Sequence, residues 1–324
     1  MLIIIHPPDK MFEYLVILLD EASASFCHYE APSLQERKPI SADMLKQGIR
    51  FAMRQNLAIQ FVYPHYEISD ELDELVHSVD HFKIMPADID ATKADVVVVD
   101  GFNFDAAIRL QKPTTLRVKK DEFFARYHEL VPLLEAVPNV NVVFTDVQHF
   151  TAADLQTYST VISLLAEEVA KMYVGDLCPR INLLTDRLSL NEMNNCGAGA
   201  TSLTMAPNGN LYACPGFYYD DPENCVGNIN QRELEIPNGY LYTLASAPIC
   251  RHCDAWHCKR CVWLNRKTTL EVNTPSHEQC VMAHLERNAS GKMLMQIREH
   301  GSFMPECEIE EIDYLDPFDK RHLW

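Results

Sequence analysis

Ile249–Val262 reads I-C-R-H-C-D-A-W-H-C-K-R-C-V. It sets four thiols, Cys250, Cys253, Cys258 and Cys261, in a C-x2-C-x4-C-x2-C array. A C-x2-C pair can turn back and present both sulfurs to one centre, the usual arrangement of zinc and iron–sulfur ligands. Cys196 and Cys214 precede the array and Cys280 follows it. The nearby charges are mostly cationic, with Arg251, Lys259, Arg260, Arg266 and Lys267 set against Asp254. Such cations would offset the negative charge of a thiolate-ligated centre. From Asn194 to His284 the chain carries prolines, glycines, asparagines and aromatics but no long helical period. That pattern predicts a small loop-rich fold whose modest core is supplemented by metal.

Upstream the text changes character. Tyr14–Asp20, Y-L-V-I-L-L-D, is an apolar run ending in a carboxylate, as expected of a buried parallel strand. Ser41 is placed to cap a helix whose apolar face is Met44, Leu45, Ile49, Met53 and Leu57. Further strands are expected at Ala58–Tyr63, His81–Met85, Asp95–Asp100, Thr114–Val118, Val140–Val147 and Ile181–Thr185. Helices are expected at Ser69–Val79, Lys120–Val137, Thr151–Val174 and Ala283–His300. Strands alternating with helices at this spacing predict an α/β fold, a partial (β/α) barrel-like parallel sheet followed by a small Cys-rich metal-binding domain. The expected division is an α/β domain over 1–190, the Cys-rich domain over 191–284, and a helix with an acidic tail over 285–324. The tail, Glu306–Asp319, carries seven carboxylates and is expected to be solvated or to meet a partner.

The 324 residues carry 46 acidic and 28 basic side chains, a net charge of −18. That balance opposes nucleic acid or an anionic membrane as a general partner. The amino terminus lacks the basic start and apolar core of a signal peptide, and no run approaches the ~20 apolar residues of a membrane span. A cytoplasmic, reducing location is therefore expected, and eleven cysteines there read as metal ligands before disulfides.

In order, the thiols run Cys196-x12-Gly209-x4-Cys214, then Cys250 to Cys261, then Cys280. This resembles the SPASM domain, the auxiliary-cluster region of many radical S-adenosylmethionine enzymes that mature peptides, with two inner spacings each one residue short. Thr204–Tyr212, T-M-A-P-N-G-N-L-Y, resembles the β-hairpin of that domain, with Asn208–Gly209 as its turn. The resemblance implies one or two [4Fe-4S] clusters. One would take Cys250, Cys253, Cys258 and Cys280; the other would take Cys196, Cys214 and Cys261, with a fourth ligand from Cys178, Cys225 or neither. A single cluster, or zinc held by C-x2-C pairs, stays open beside it. His257 is expected to hydrogen-bond behind the ligands, and Cys307 to be a plain thiol.

The loop after the first strand bears on the same family. Radical S-adenosylmethionine enzymes carry C-x3-C-x2-C there; this chain has Ser23, Cys27 and Glu30, within S-A-S-F-C-H-Y-E. One thiol of three remains, and a hydroxyl and a carboxylate are poor donors to an iron–sulfur cluster. A radical-enzyme scaffold without its reductive site is expected, with no residue assigned to S-adenosylmethionine. Taken with the late cysteines, the chain resembles the CXXX repeat peptide maturases over nearly its whole length. That implies maturation of a cysteine-rich ribosomal peptide without S-adenosylmethionine cleavage.

Three functions compete. Cys27 could be a catalytic nucleophile, or a metal ligand beside His28 and Glu30. The chain could be a pseudo-enzyme that binds the peptide or passes electrons to a separate modifying enzyme. Or the metal could be a structural zinc under an ordinary α/β protein. His6, His65, His81 and His149 are expected to be satisfied polar residues. No nucleophile–base pair, phosphate loop or H-E-x-x-H motif is present.

Overall fold

The apolar run after Glu13 becomes the strand it predicts: β1 (Tyr14–Leu18) buries every residue but its first. The structure is a computed structural model, and it describes residues 12–33, 36–231, 236–312 and 315–318. His6 and part of the acidic tail lie outside the described residues. In chain order there follow α1 (Ala42–Gln55), β2 (Ala58–Val62), α2 (Asp70–Val76), β3 (His81–Pro86), β4 (Val96–Asp100), α3 (Asp105–Leu110) and β5 (Thr114–Val118). Next come α4 (Lys120–Arg126), α5 (Leu130–Ala136), β6 (Val140–Phe144), α6 (Ala152–Val174) and α7 (Asp186–Ser189). The chain ends with β7 (Ser202–Met205), β8 (Asn210–Tyr212), α8 (Pro215–Asp220), β9 (Gly227–Asn228), α9 (Val262–Thr269) and α10 (His277–Arg298). The fold is α/β, its strands mostly parallel as the alternation of strand and helix predicts.

Two compact units share the chain. One comprises Met1–Ala24, Ala31–Lys83 and Gly197–Thr243; the other comprises Ser25–Glu30, Ile84–Cys196 and Leu244–Trp324. In the first unit β1 pairs in parallel with β2 and with β7, Tyr14 lying opposite both Ala58 and Ser202. β8 and β9 then add in antiparallel fashion. The hairpin expected over Thr204–Tyr212 forms, with Thr204 opposite Tyr212. Gly209 holds φ +81° in its turn, a conformation that costs a residue with a Cβ. Ser41 caps α1 by accepting from Met44 N, and Asn56 closes it in the left-handed region. At the end of β1 the buried Asp20 accepts from Ala22 N (2.7 Å), Lys38 N (2.9 Å) and the Tyr66 hydroxyl.

In the second unit the end of β3, then β4, β5 and β6, run parallel, with Ile84 opposite Val96, Val97 opposite Thr114 and Thr114 opposite Val140. Four sequence expectations are corrected there. Lys120–Val137 is not one helix. Pro132 has no N–H and its ring crowds the carbonyl four residues back, so α4 stops and α5 restarts with Pro132 in its first turn. The strand expected over Val140–Val147 ends at Phe144. Ile181–Thr185 makes only a single bridge, Ile181 to Val140. Its ladder is taken over by side chains: Asn182 bonds both Val142 N (2.7 Å) and Val142 O (2.9 Å), and the Thr185 hydroxyl bonds Ile181 N and O. Finally α10 starts at His277, capped by Ser276, so Cys280 rides on a helix.

The acidic tail is likewise not simply solvated. The Arg287 guanidinium donates to Glu310 O, His284 Nδ1–H donates to Leu315 O (2.6 Å), and His277 pairs with Asp316 at 2.8 Å. A Cβ on Gly291 would lie 3.2 Å from Ile309 O, so the tail backbone rests directly against α10. Carbonyl groups, not the carboxylates that dominate the composition, make most of this attachment. Among the described residues no helix is long and apolar enough to cross a membrane.

Candidate metal centre

Four of the expected ligands, Cys250, Cys253, Cys258 and Cys280, line one cavity of about 190 Å³ in the second unit. A short 3-10 turn carries Cys250, the irregular loop that follows it carries Cys253 and Cys258, and α10 carries Cys280. Arg260 adopts a left-handed φ of 45°, bending the chain between Cys258 and Cys261. Burial pushes the thiols up, to about 11 for Cys250 and about 12 for Cys258, and raises Cys253 and Cys280 as well. Neutral thiols therefore fill the metal-free cavity at neutral pH, and a metal must displace their protons.

The cavity walls are built for a centre carrying negative charge. Arg260 is buried and lowers the Cys250 thiol against burial. Arg287 grips Asp254 with two bonds of 2.7 and 2.6 Å, while Arg187 stacks on Trp256 with its guanidinium carbon 3.9 Å from the ring centroid. Of the five basic residues expected from the sequence, only Arg260 turns inward; Lys259 reaches Asp186 at 3.8 Å and Lys267 lies over Trp263. Arg187 and Arg287 come from other segments and carried no local signal. His284 was also unexpected. Its Nδ1–H is committed to Leu315 O, which leaves Nε2 to accept from the Cys253 thiol at 3.4 Å.

A second cavity, of about 330 Å³, shares Cys258 with the first and is also lined by Cys27, His28, Cys196, Cys261, His257 and Glu286. The loop that carries Cys27 is held by Arg117 of β5, which is buried. Its guanidinium donates to Cys27 O (3.0 Å) and Tyr29 O (2.8 Å) and pairs with Asp100 and with Glu30 (2.7 Å). Glu30 is thus an anchor of the loop, directed to a guanidinium and not to a metal beside Cys27. Ser23 is engaged too: its hydroxyl accepts from Asp20 N (3.0 Å) and donates to Asp20 O (3.1 Å). A hydrogen bond from Cys261 is the main cause that lowers Cys27 to about 5, with His28 and Arg117 assisting and burial opposing.

Glu286 of α10 joins this cavity to the core. It accepts from the Tyr158 hydroxyl at 2.5 Å and from His257 Nε2–H at 3.0 Å. That fixes the His257 tautomer, and its Nδ1 faces no hydrogen-bond partner although the residue is buried. The Tyr158 hydroxyl is raised well above its ordinary range, by burial and then by the carboxylate. Other sequence candidates line neither cavity. Cys178 neighbours Tyr173 beyond the end of α6, Cys307 lies near Arg187, and Cys214 and Cys225 belong to the first unit. Within that unit Cys214 is the N-cap of α8, and Cys225 lies near Tyr212. His65, His81 and His149 line neither cavity; His81 Nδ1–H donates to Val79 O at 2.6 Å.

Two metal geometries can be separated by spacing. Tetrahedral zinc at about 2.3 Å from each sulfur needs ligand atoms roughly 3.8 Å apart. Among the described residues the one group of three donors within 4.8 Å of one another is Cys27, His28 and Cys261. Cys250, Cys253, Cys258 and Cys280 share a cavity, but no three of them bring their sulfurs within 4.8 Å of one another.

Neither a scan against known families nor a search of curated proteins returns a match. Solved structures do match. A chain described as native anSMEcpe with bound AdoMet superposes with a TM-score of 0.62 at 12% identity, covering 87% of this chain and 98% of its own. The same protein with AdoMet and a Cp18Cys peptide superposes at 0.60 with 10% identity over the same shares, and with a Kp18Cys peptide at 0.59 with 12%. At such identities the likeness is one of fold: this chain shares the fold of these anSMEcpe chains.

Proposed function

We propose that the chain is an iron–sulfur protein that takes part in maturing a cysteine-rich peptide and does not cleave S-adenosylmethionine. The observation that carries this is the gathering of Cys250, Cys253 and Cys258, from one loop, and Cys280, from α10, around one cavity walled by Arg260 and backed by His284. A [4Fe-4S] cluster held by the four thiols would supply an electron store. The chain's own residues do the rest. The cations balance the thiolates, and in the metal-free chain His284, secured by the tail segment at Leu315, accepts from the Cys253 thiol.

The loss of the reductive site is supported by what replaced it. Ser23 closes the end of β1 and Glu30 pairs with Arg117, so both positions serve the backbone. The fold's likeness to structures solved with bound peptides supports a peptide partner. A CXXX-repeat peptide, a cytoplasmic setting and a separate modifying enzyme complete the reading. A structural zinc in this cavity is disfavoured by the wide thiol spacing.

The test is anaerobic isolation with iron and sulfide counting, beside Cys253→Ala and Cys258→Ala. About four irons and four sulfides should be present and should be lost in both variants. Co-expression with a cysteine-rich peptide, read by mass spectrometry and by assay for 5′-deoxyadenosine, should give a modified or retained peptide without cofactor cleavage. Zinc in place of iron, or cofactor cleavage, would overturn the reading.

A further inference from the structure

The wide thiol cavity does not account for Cys27, His28 and Cys261. Cys27 and His28 come from the loop after β1, whereas Cys261 is the N-cap of α9. They meet because Arg117 pins the loop through the carbonyls of Cys27 and Tyr29, and Tyr29 packs edge-on against Trp263 of α9 at 6.5 Å. One donor atom from each lies within 4.8 Å of the other two.

The histidine is oriented as a ligand. Its Nδ1–H donates to Phe144 O at 2.7 Å, at the end of β6, which fixes the tautomer and leaves Nε2 with a free lone pair. A backbone carbonyl behind the imidazole is the usual support of a metal-bound histidine. Two thiols and one imidazole at this spacing suit a single soft divalent ion, and three protein ligands leave a fourth position open. All three residues line the 330 Å³ cavity, where the buried His257 Nδ1 also lacks a partner.

We propose that Cys27, His28 and Cys261 form a mononuclear zinc-type site, distinct from the four-thiol cavity, with its fourth position open to a thiolate from the cavity. The site takes Cys261 away from a second iron–sulfur cluster. The protein then holds one cluster and one single ion. The identity of the incoming thiolate as that of a cysteine-rich peptide rests on the proposed function; the metal site does not.

The site is tested on the full chain, purified anaerobically, by counting zinc, iron and sulfide in the wild type, Cys27→Ser and His28→Gln. Expected are one zinc in the wild type and its loss in both variants, with iron and sulfide unchanged. Loss of iron and sulfide in Cys27→Ser would make Cys27 a cluster ligand and overturn the site. Retention of the zinc in both variants would overturn it as well. Absence of iron from every protein, with zinc behaving as expected, would sink the proposed function and leave the site standing.

Cobalt(II) added to zinc-stripped protein gives a readout independent of content. Thiolate-to-cobalt absorption should appear at one equivalent in the wild type and be weakened in Cys27→Ser. A synthetic peptide with one cysteine should shift that absorption, and its serine counterpart should not. Equal response to both peptides would overturn the open thiolate position.

Discussion

At the scale of single residues, the burial of charge and of thiols decides most of what this site can do. Arg117 satisfies two buried carbonyls and two carboxylates, and no lysine could span them, because only the planar guanidinium offers donors in several fixed directions. Arg117→Met should cost about 3 kcal/mol in chemical denaturation, since it removes the guanidinium donors to the Cys27 and Tyr29 carbonyls, and Arg117→Lys should recover less than half. The thiols give a pH dependence. Below about pH 9, the ordinary value for a thiol, Cys250 and Cys258 are protonated in folded and unfolded metal-free chains alike. Above it the unfolded thiols ionise while the buried ones stay neutral, so stability falls from about pH 9 until Cys250 titrates near 11 and Cys258 near 12. The melting temperature of metal-free protein should therefore drop across that window. In Cys250→Ala, which removes one of these groups, the drop should be shallower.

At the scale of elements, α10 is the organising helix of the second unit. It packs along α6, places Cys280, His284, Glu286 and Arg287 on the site, and carries the tail on its outer side. Gly291 makes the last of these possible. In Gly291→Val the added side chain meets the Ile309 backbone and must displace the tail. Alkylation of Cys253 in metal-free protein should then be several-fold faster, with the helix content by circular dichroism unchanged. A second element-level device is the side-chain ladder beside β6. Asn182→Leu removes two bonds to Val142 and should cost about 2 kcal/mol in denaturant unfolding.

At the scale of the molecule, the proposed metal is a source of stability for a region poor in regular structure. Between Leu244 and Ser276 the described chain has two short 3-10 turns and α9. Its order would rest on ligation more than on a ladder of backbone bonds. Removing metal should raise amide hydrogen exchange over Leu244–Cys280, while β4, β5 and β6 remain protected. Exchange unchanged by metal removal would mean that the loops are held by packing alone.

The sequence by itself determined the α/β character, the hairpin, the single thiol in the loop after β1, and the candidacy of Cys250, Cys253, Cys258 and Cys280. Each of these is written in short-range features: hydrophobic period, cap and turn residues, and thiol spacing. Tertiary structure alone decided the company each thiol keeps. Cys27 stands 234 positions before Cys261, and neither the Arg117 clamp nor the carbonyl behind His28 has a local signature. The same holds for Arg187 and Arg287 around Asp254, and for the tail over α10. Spacing along the chain constrains the neighbours of a residue only within a turn or two; beyond that, packing chooses which donors share a cavity.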